Sequence, residues 1–82
     1  MILTDIYAVA VDQTFDFRLD ENAELSAVLL EVTEMIARKT GSESPENARD
    51  FMLYLVGRET PLPLNKTLYE CGVKDGDKLI LV

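Results

Sequence analysis

The side chains most suited to chemical reactions lie in the last third of the chain. Cys71 is its single cysteine, and the chain contains no histidine. A cysteine nucleophile works as a thiolate and needs a positioned base to hold it in that form. Without such a base, Cys71 is predicted to be a small buried hydrophobic residue, since free cysteines are among the most buried residue types.

Asp75 and Asp77 flank Gly76 and could act as a pair of carboxylates. Two aspartates around a glycine are also ordinary turn chemistry, and no further acidic residues follow at the spacing of a calcium loop. Gly57, Gly72 and Gly76 are too dispersed to form a phosphate-binding loop. The sequence therefore predicts no catalytic residue, no metal site and no cofactor.

Charge is unevenly distributed along these 82 residues, whose formal net charge is −7. Residues 1–48 carry ten acidic and three basic side chains, whereas residues 49–82 carry five of each. The acidic half would repel phosphate backbones, so nucleic-acid binding is disfavoured. It is predicted either to select a basic partner or simply to keep the surface hydrated. Without a signal peptide or an apolar run of membrane-spanning length, we expect a cytoplasmic protein that reaches membranes only through a partner.

Two alternating patterns near the start predict a β-hairpin around Asp12-Gln13-Thr14. In the second strand, Phe15, Phe17 and Leu19 alternate with charged residues. The first strand alternates between two apolar sets. We assign the bulkier set to the core, namely Tyr7, Val9 and Val11.

A helical period follows over roughly residues 23–40, where apolar residues recur at three- and four-residue spacing. Asn22 is the predicted N-cap and Gly41 the predicted end. Ser42–Asp50 is predicted to be a loop, because Pro45 prevents the helix from continuing. A third strand, Phe51–Val56, is predicted to turn at Gly57.

The rest of the chain predicts an edge or loop segment, a helical turn and a last strand. Pro61 and Pro63 are incompatible with a central strand. Thr67 and Glu70 form a capping box, and Gly72 is placed to end that turn. After the Asp75–Asp77 turn, residues 79–82 form an apolar strand. The predicted core comprises Phe15, Phe17, Val28, Val32, Ile36, Leu53, Leu55, Leu68, Val73, Leu79 and Leu81.

This order of elements resembles ubiquitin and its β-grasp relatives over essentially the whole chain. The resemblance implies one α+β domain, residues 1–82, in which a long helix packs across a mixed sheet of four or five strands. Ubiquitin-type modifiers and sulfur carriers continue from the last strand into a Gly-Gly tail that carries the reactive carboxylate. This sequence ends on the strand at Val82, so we expect the fold to serve binding rather than conjugation.

Within the ubiquitin-like group, the chain is most similar to the YukD-like proteins of bacteria. The similarity lies in the hairpin segment Phe15–Leu19, in the stretch Leu68–Leu79 and in the absence of Gly-Gly. That family is associated with type VII secretion, so the resemblance implies a non-catalytic accessory or regulatory component of such a system. The alternatives are a modifier or sulfur carrier whose reactive tail is absent from this chain, and a domain of a larger protein.

The parity of the last two predicted strands indicates an apolar outer face. If Leu53 and Leu79 point inward, Met52, Tyr54 and Val56 of one strand and Ile80 and Val82 of the other point away from the helix. In ubiquitin the corresponding face binds partners. Carried over by position, the predicted protein-interaction patch comprises Tyr54, Ile80 and Val82 with Met52 at its edge. The expected occupant is a protein partner or a second copy of the chain; alternatively, the proline-containing segment covers this face.

Overall fold

Four strands and one α-helix make up the computed structural model, which describes residues 1–41 and 48–82. The strands are β1 (Ile2–Ala8), β2 (Gln13–Leu19), β3 (Leu53–Leu55) and β4 (Lys78–Leu81), and the helix is α1 (Leu25–Thr40). Short 3₁₀ helices lie at Val9–Val11 and Ala48–Asp50. Most of the predicted loop after α1, residues 42–47 including Pro45, falls outside the described residues.

The strands form one sheet in the order β2-β1-β4-β3. β1 pairs with β2 antiparallel and with β4 parallel, and β3 pairs with β4 antiparallel. The sheet is therefore mixed and four-stranded, with α1 packed across one face, as the β-grasp prediction requires. Within the described ranges, no helix is both long enough and apolar enough to cross a membrane.

The start of α1 differs from the prediction, because the N-cap is Glu24 rather than Asn22 and its side chain makes no capping hydrogen bond. The first two amides of the helix are satisfied from elsewhere in the chain. The backbone N–H of Leu25 donates to Lys66 O at 2.8 Å, and that of Ser26 donates to Leu64 O at 3.1 Å. Capping by a distant segment fixes where the helix begins. The C-terminal prediction is confirmed, since Gly41 adopts a left-handed conformation with φ of 71°.

The core lies between α1 and the sheet. Most of the predicted core is buried, although Phe15 and Leu55 are only half-buried at its margin. The segment around Pro61 and Pro63 forms a loop, as one of the two predicted alternatives has it. It runs beside the edge strand β3, where the Leu62 N–H donates to Leu53 O at 2.8 Å. The fully buried large side chains include Ile6, Leu19, Leu25, Leu29, Leu68 and Leu79.

The assignment of Tyr7 and Val9 to the core is wrong, and Val11 is only half-buried at the margin of the core. β1 begins at Ile2 and buries its even-numbered residues, while Tyr7 lies on the outer face and Val9 and Val11 belong to the 3₁₀ helix after the strand. The buried set contains a threonine, Thr4, and a small residue, Ala8. Side-chain bulk therefore indicated the wrong set.

Thr4 offers a direct test of the β1 register. Its side chain is 1% exposed, and its hydroxyl oxygen has no hydrogen-bond partner in the part of the chain that the structure describes. Valine has the same shape without the polar atom, and an unsatisfied buried hydroxyl costs about 1–3 kcal/mol. We therefore expect Thr4→Val to raise the free energy of unfolding by about 1 kcal/mol in urea denaturation. A loss of stability would contradict the inward placement of Thr4.

Candidate functional site

The polar groups around the β4 turn have structural partners. Asp75 Oδ1 accepts from the Leu3 N–H at 2.7 Å, and Asp77 Oδ2 accepts from the Lys74 N–H at 2.8 Å. Gly76 has φ of 88°, a conformation that glycine adopts without strain. The turn prediction is confirmed. The Asp75 hydrogen bond also links this turn, which leads into β4, to the backbone of β1. In the described ranges, no three His, Cys, Asp or Glu side chains come together as a potential metal site.

Cys71 and the capping box also have the predicted placement. Thr67 Oγ1 accepts from the Glu70 N–H, and Glu70 Oε1 accepts from the Thr67 N–H, both at 3.0 Å. Gly72 follows with φ of 78°. Cys71 is a free, buried cysteine that forms part of the hydrophobic core. Its position is that of a packing residue.

A pocket opens at the end of the core where the 3₁₀ helix after β1 meets the C-terminal half of α1. Its volume is about 190 Å³. The described residues that line it carry no ionisable side chain; they include Ala8, Val11, Ile36, Phe51 and Leu81. The lining also includes Thr33 and Thr40, whose hydroxyls bond to carbonyls of α1 itself, so the pocket offers mainly apolar contact.

The outer face of the sheet, opposite α1, carries a different kind of surface. Tyr54 on β3 lies opposite Ile80 on β4, and Ile80 in turn lies beside Tyr7 on β1. Tyr54 and Ile80 are half-buried, whereas Tyr7 is 36% exposed. Because neighbouring strands are about 4.8 Å apart, these three side chains form one continuous apolar row across the sheet.

Met52 and Val82 extend this row at the ends of β3 and β4. They exchange two backbone hydrogen bonds, from Met52 N to Val82 O at 2.8 Å and from Val82 N to Met52 O at 2.9 Å. Their side chains are 44% and 41% exposed, and Val56 at the other end of β3 is 54% exposed. The structure thus brings together all four residues of the predicted patch. Together with Tyr7 and Val56, they form the outer patch, which comprises Tyr7, Met52, Tyr54, Val56, Ile80 and Val82.

Tyr7 is the member of the outer patch that sequence reasoning missed, because the parity of β1 was reversed. Its hydroxyl donates a hydrogen bond to Asp12 Oδ1, which closes the turn after the strand. That hydrogen bond, together with desolvation and the Asp12 charge, raises the pKa of the Tyr7 phenol above its ordinary value. One sequence signal pointed the right way: Ile2 and Ile6 are spaced to share a face, which leaves Tyr7 on the other.

Beside the outer patch, the same face becomes charged towards β2. Asp5 on β1 lies directly opposite Asp16 on β2 and next to Lys78 on β4. A hydrogen bond with the Asp16 side chain raises the pKa of the Asp5 carboxyl, and desolvation and the Asp16 charge act in the same direction, while Lys78 lowers it. Like charges opposite each other destabilise a sheet. This acidic pair is therefore a local weakness of the fold at neutral pH.

The acidic pair predicts a pH dependence of stability. A raised pKa means that the folded chain binds the Asp5 proton more tightly than the unfolded chain, so stability increases as the pH falls through the Asp5 pKa and decreases as it rises. We expect Asp16→Asn to lower the Asp5 pKa, measured by carboxyl NMR titration, and to reduce the gain in stability on acidification. An unchanged Asp5 pKa in this variant would contradict the assigned cause.

Comparisons with known proteins agree with this fold. The model of the family described as WXG100 protein secretion system (Wss), protein YukD, matches residues 4–81. The EccD5 ubiquitin-like domain from Mycobacterium xenopi is 32% identical with a TM-score of 0.69, and the match covers 99% of this chain and 91% of that domain. No curated protein matches the sequence significantly.

Two further solved structures illustrate how widely the fold is shared. Caldiarchaeum subterraneum ubiquitin is 27% identical with a TM-score of 0.71, over 98% of this chain and 89% of that one. The ubiquitin-like domain of the Mycobacterium tuberculosis type VII secretion protein EccD1 is 19% identical with a TM-score of 0.69, over 100% of this chain and 99% of that one. The last comparison shows the fold alone. Together, the sheet order, the family match and the EccD5 similarity show that this chain is a ubiquitin-like member of the YukD family, linked to type VII secretion.

Proposed function

We propose that the chain is a single, non-catalytic interaction domain that serves a bacterial type VII secretion system as an accessory or regulatory component. It acts on the cytoplasmic side and binds another protein through the outer patch. The family match supports the assignment to the secretion system. The observation that carries the binding role is the outer patch itself.

The outer patch is unusual for an antiparallel pair with one solvated face. Such a face normally shows polar residues, while the opposite face packs on the core. Here the inward residues Leu53, Leu79 and Leu81 are buried in the core, and the outward residues next to them are also apolar. Contiguous exposed apolar surface on a small protein marks an interaction site more often than it serves stability.

The surroundings of the outer patch favour a protein over other partners. Lys78 and Asp5 lie at its border, which gives it the polar rim typical of protein–protein interfaces. Aromatic residues such as Tyr7 and Tyr54 are enriched at such sites, since a tyrosine offers both an apolar ring and a hydroxyl. The net charge of −7 disfavours nucleic acid.

The test is a capture experiment with a matched pair of tyrosine variants. Tagged wild-type protein, Tyr54→Glu and Tyr69→Glu are expressed in the native cell, and secretion-system components that co-purify are quantified by mass spectrometry. Tyr69 is 72% exposed and lies outside the outer patch. We expect Tyr54→Glu to lose the secretion components, because a carboxylate would be desolvated without a partner, and Tyr69→Glu to retain them. Equal recovery by all three proteins would contradict the proposal, and a covalent adduct would favour a modifier instead.

A further inference from the structure

The free edge of β2 is a second surface with features of its own. Among the strands that the structure describes, β2 is the outermost on its side of the sheet, is seven residues long and pairs only with β1. A strand edge presents unpaired N–H and C=O groups that another strand can bind. Natural proteins often block such an edge with a proline or a bulge, yet β2 contains no proline and pairs with β1 in continuous register.

The hydrogen bonds of β1 show which backbone groups of β2 face outward. The Gly76 N–H donates to Leu3 O at 2.7 Å, and the Asp5 N–H donates to Asp77 O at 3.2 Å, so the odd residues of β1 turn their backbone towards β4. Thr4 therefore faces β2, where its partner is Phe17. Because backbone direction alternates along a strand, Phe17 faces β1, and its neighbours Asp16 and Arg18 direct their N–H and C=O groups to the free edge.

Asp16 and Arg18 are also the only charged residues of β2, and both side chains are exposed on the outer face. We infer that β2 pairs antiparallel with β2 of a second copy of this chain, in a two-fold register centred on Phe17, so that Asp16 of each copy lies opposite Arg18 of the other. The pairing forms a continuous eight-stranded sheet. Four edge hydrogen bonds join the copies, two at each Asp16–Arg18 pair.

Charge complementarity selects this register over its neighbours. A two-fold axis at Asp16 would oppose two aspartates, and one at Arg18 would oppose two arginines, which is destabilising in either case. An axis at Phe15 would leave both charges without a charged partner inside the strand. Among registers that use only charges within β2, the Phe17 register alone opposes unlike charges twice, and it also brings the half-buried Phe15 beside Leu19 of the other copy.

The same pairing relieves the acidic pair on the outer face. Asp16 lies opposite Asp5 in each chain, and Asp5 lies beside Lys78. In the dimer, Arg18 of the other copy lies on the free side of Asp16. The carboxylates of Asp5 and Asp16 then have a cation on each side, Lys78 at one end of the row and this arginine at the other. In the monomer this arginine is not there, so association adds a positive charge that offsets the repulsion between the two carboxylates.

The outer patch stays free in this dimer, because it is centred on β3 and β4 at the other end of the sheet. A two-fold axis perpendicular to the continuous sheet leaves both outer patches on one face. The association goes beyond the proposed function and does not depend on it. A dimer of this kind would offer a partner two copies of the binding site at once and increase its apparent affinity.

Reciprocal charge variants test the register. In Asp16→Arg, two pairs of arginines oppose each other across the edge, and in Arg18→Asp two pairs of aspartates do so. With only a few edge contacts, the wild-type dimer belongs to the weak, transient class, so sedimentation equilibrium is run up to about 1 mM. We expect each single variant to weaken dimerisation about tenfold or more. An equimolar mixture of the two should restore association as a heterodimer, and the double variant Asp16→Arg/Arg18→Asp should restore the homodimer.

Two exposed positions outside β2 provide controls for net charge. Glu59→Arg and Lys66→Asp make the same changes in charge away from the edge and should leave the association unchanged. Amide hydrogen exchange locates the interface on the chain. The N–H groups of Asp16 and Arg18 should become more protected from exchange as the protein concentration rises, whereas the N–H group of Phe17 should be protected at every concentration. A strictly monomeric wild type, single variants that dimerise normally, or association without protection of Asp16 and Arg18 would each overturn the proposal.

Discussion

Truncating Leu79 to alanine is expected to remove a large part of the stability of this domain. Leu79 is 1% exposed and lies on the central strand β4, between Ile6 of β1 and Leu55 of β3. The truncation would leave a cavity that neighbours on both sides cannot fill without disturbing the sheet. A leucine-to-alanine change at such a site costs about 2–5 kcal/mol. Native domains are stable by only about 5–15 kcal/mol, so the loss should be obvious in a urea unfolding curve.

Leu30 provides the matched control for this substitution. It lies on the solvent side of α1 and is 49% exposed. Leu30→Ala removes the same atoms from a site outside the core, so the free energy of unfolding should change by no more than about 0.5 kcal/mol. If Leu79→Ala matched Leu30→Ala within a few tenths, the assignment of β4 and its inward face would be wrong.

Much of the fold was predictable because its signals are local. The capping box at Thr67 and Glu70 needs only residues of one turn, and the end of α1 needs only Gly41 in the left-handed conformation. The alternation of Phe15, Phe17 and Leu19 with polar residues orients β2 without reference to its neighbours. Predictions of this kind depend on spacing alone, and the structure confirms them.

The errors arose where a distant part of the chain decides the outcome. The N-terminus of α1 is capped by carbonyls of Leu64 and Lys66, about forty residues away in sequence, so the cap preference of Asn22 has no effect. The orientation of β1 is likewise set by its pairing with β2 and β4, which requires Thr4 and Ala8 to be the inward residues. When both alternating sets of residues on a strand are apolar, tertiary packing decides which set faces the core. The sequence pattern does not contain that information.

The candidate site was predictable to the same extent. Residues 52, 54, 80 and 82 follow from strand parity, which is local, and the structure places them on one face. Tyr7 joins them only through the pairing of β1 with β4, in which it meets Ile80. Whether the outer patch binds a partner remains a prediction, and Ile80 at its centre is the position that tests it best.

Replacing Ile80 with lysine should abolish partner binding while leaving the domain folded. Ile80 is the neighbour of Leu79 on β4 but points to the opposite face, where it lies between Tyr54 and Tyr7. Its half-exposed position limits the stability cost to about 1 kcal/mol, the span of strand preferences. In the complex, the introduced ammonium group would be buried without a counter-charge, which is costly. Loss of a central contact of this kind weakens binding by 2 kcal/mol or more, about 30-fold.

The measurement combines a melting temperature with the affinity for the captured partner, and Leu3→Lys is the control. Leu3 lies on the same outer face, is 48% exposed, and pairs with Arg18 towards the β2 side rather than with the outer patch. We expect Leu3→Lys to bind normally. Unfolding of Ile80→Lys would place Ile80 in the core and reverse the parity of β4. Intact folding with undiminished binding would move the interface elsewhere, and the acidic region of residues 20–34 would then be the next surface to test, because its charge would select a basic partner.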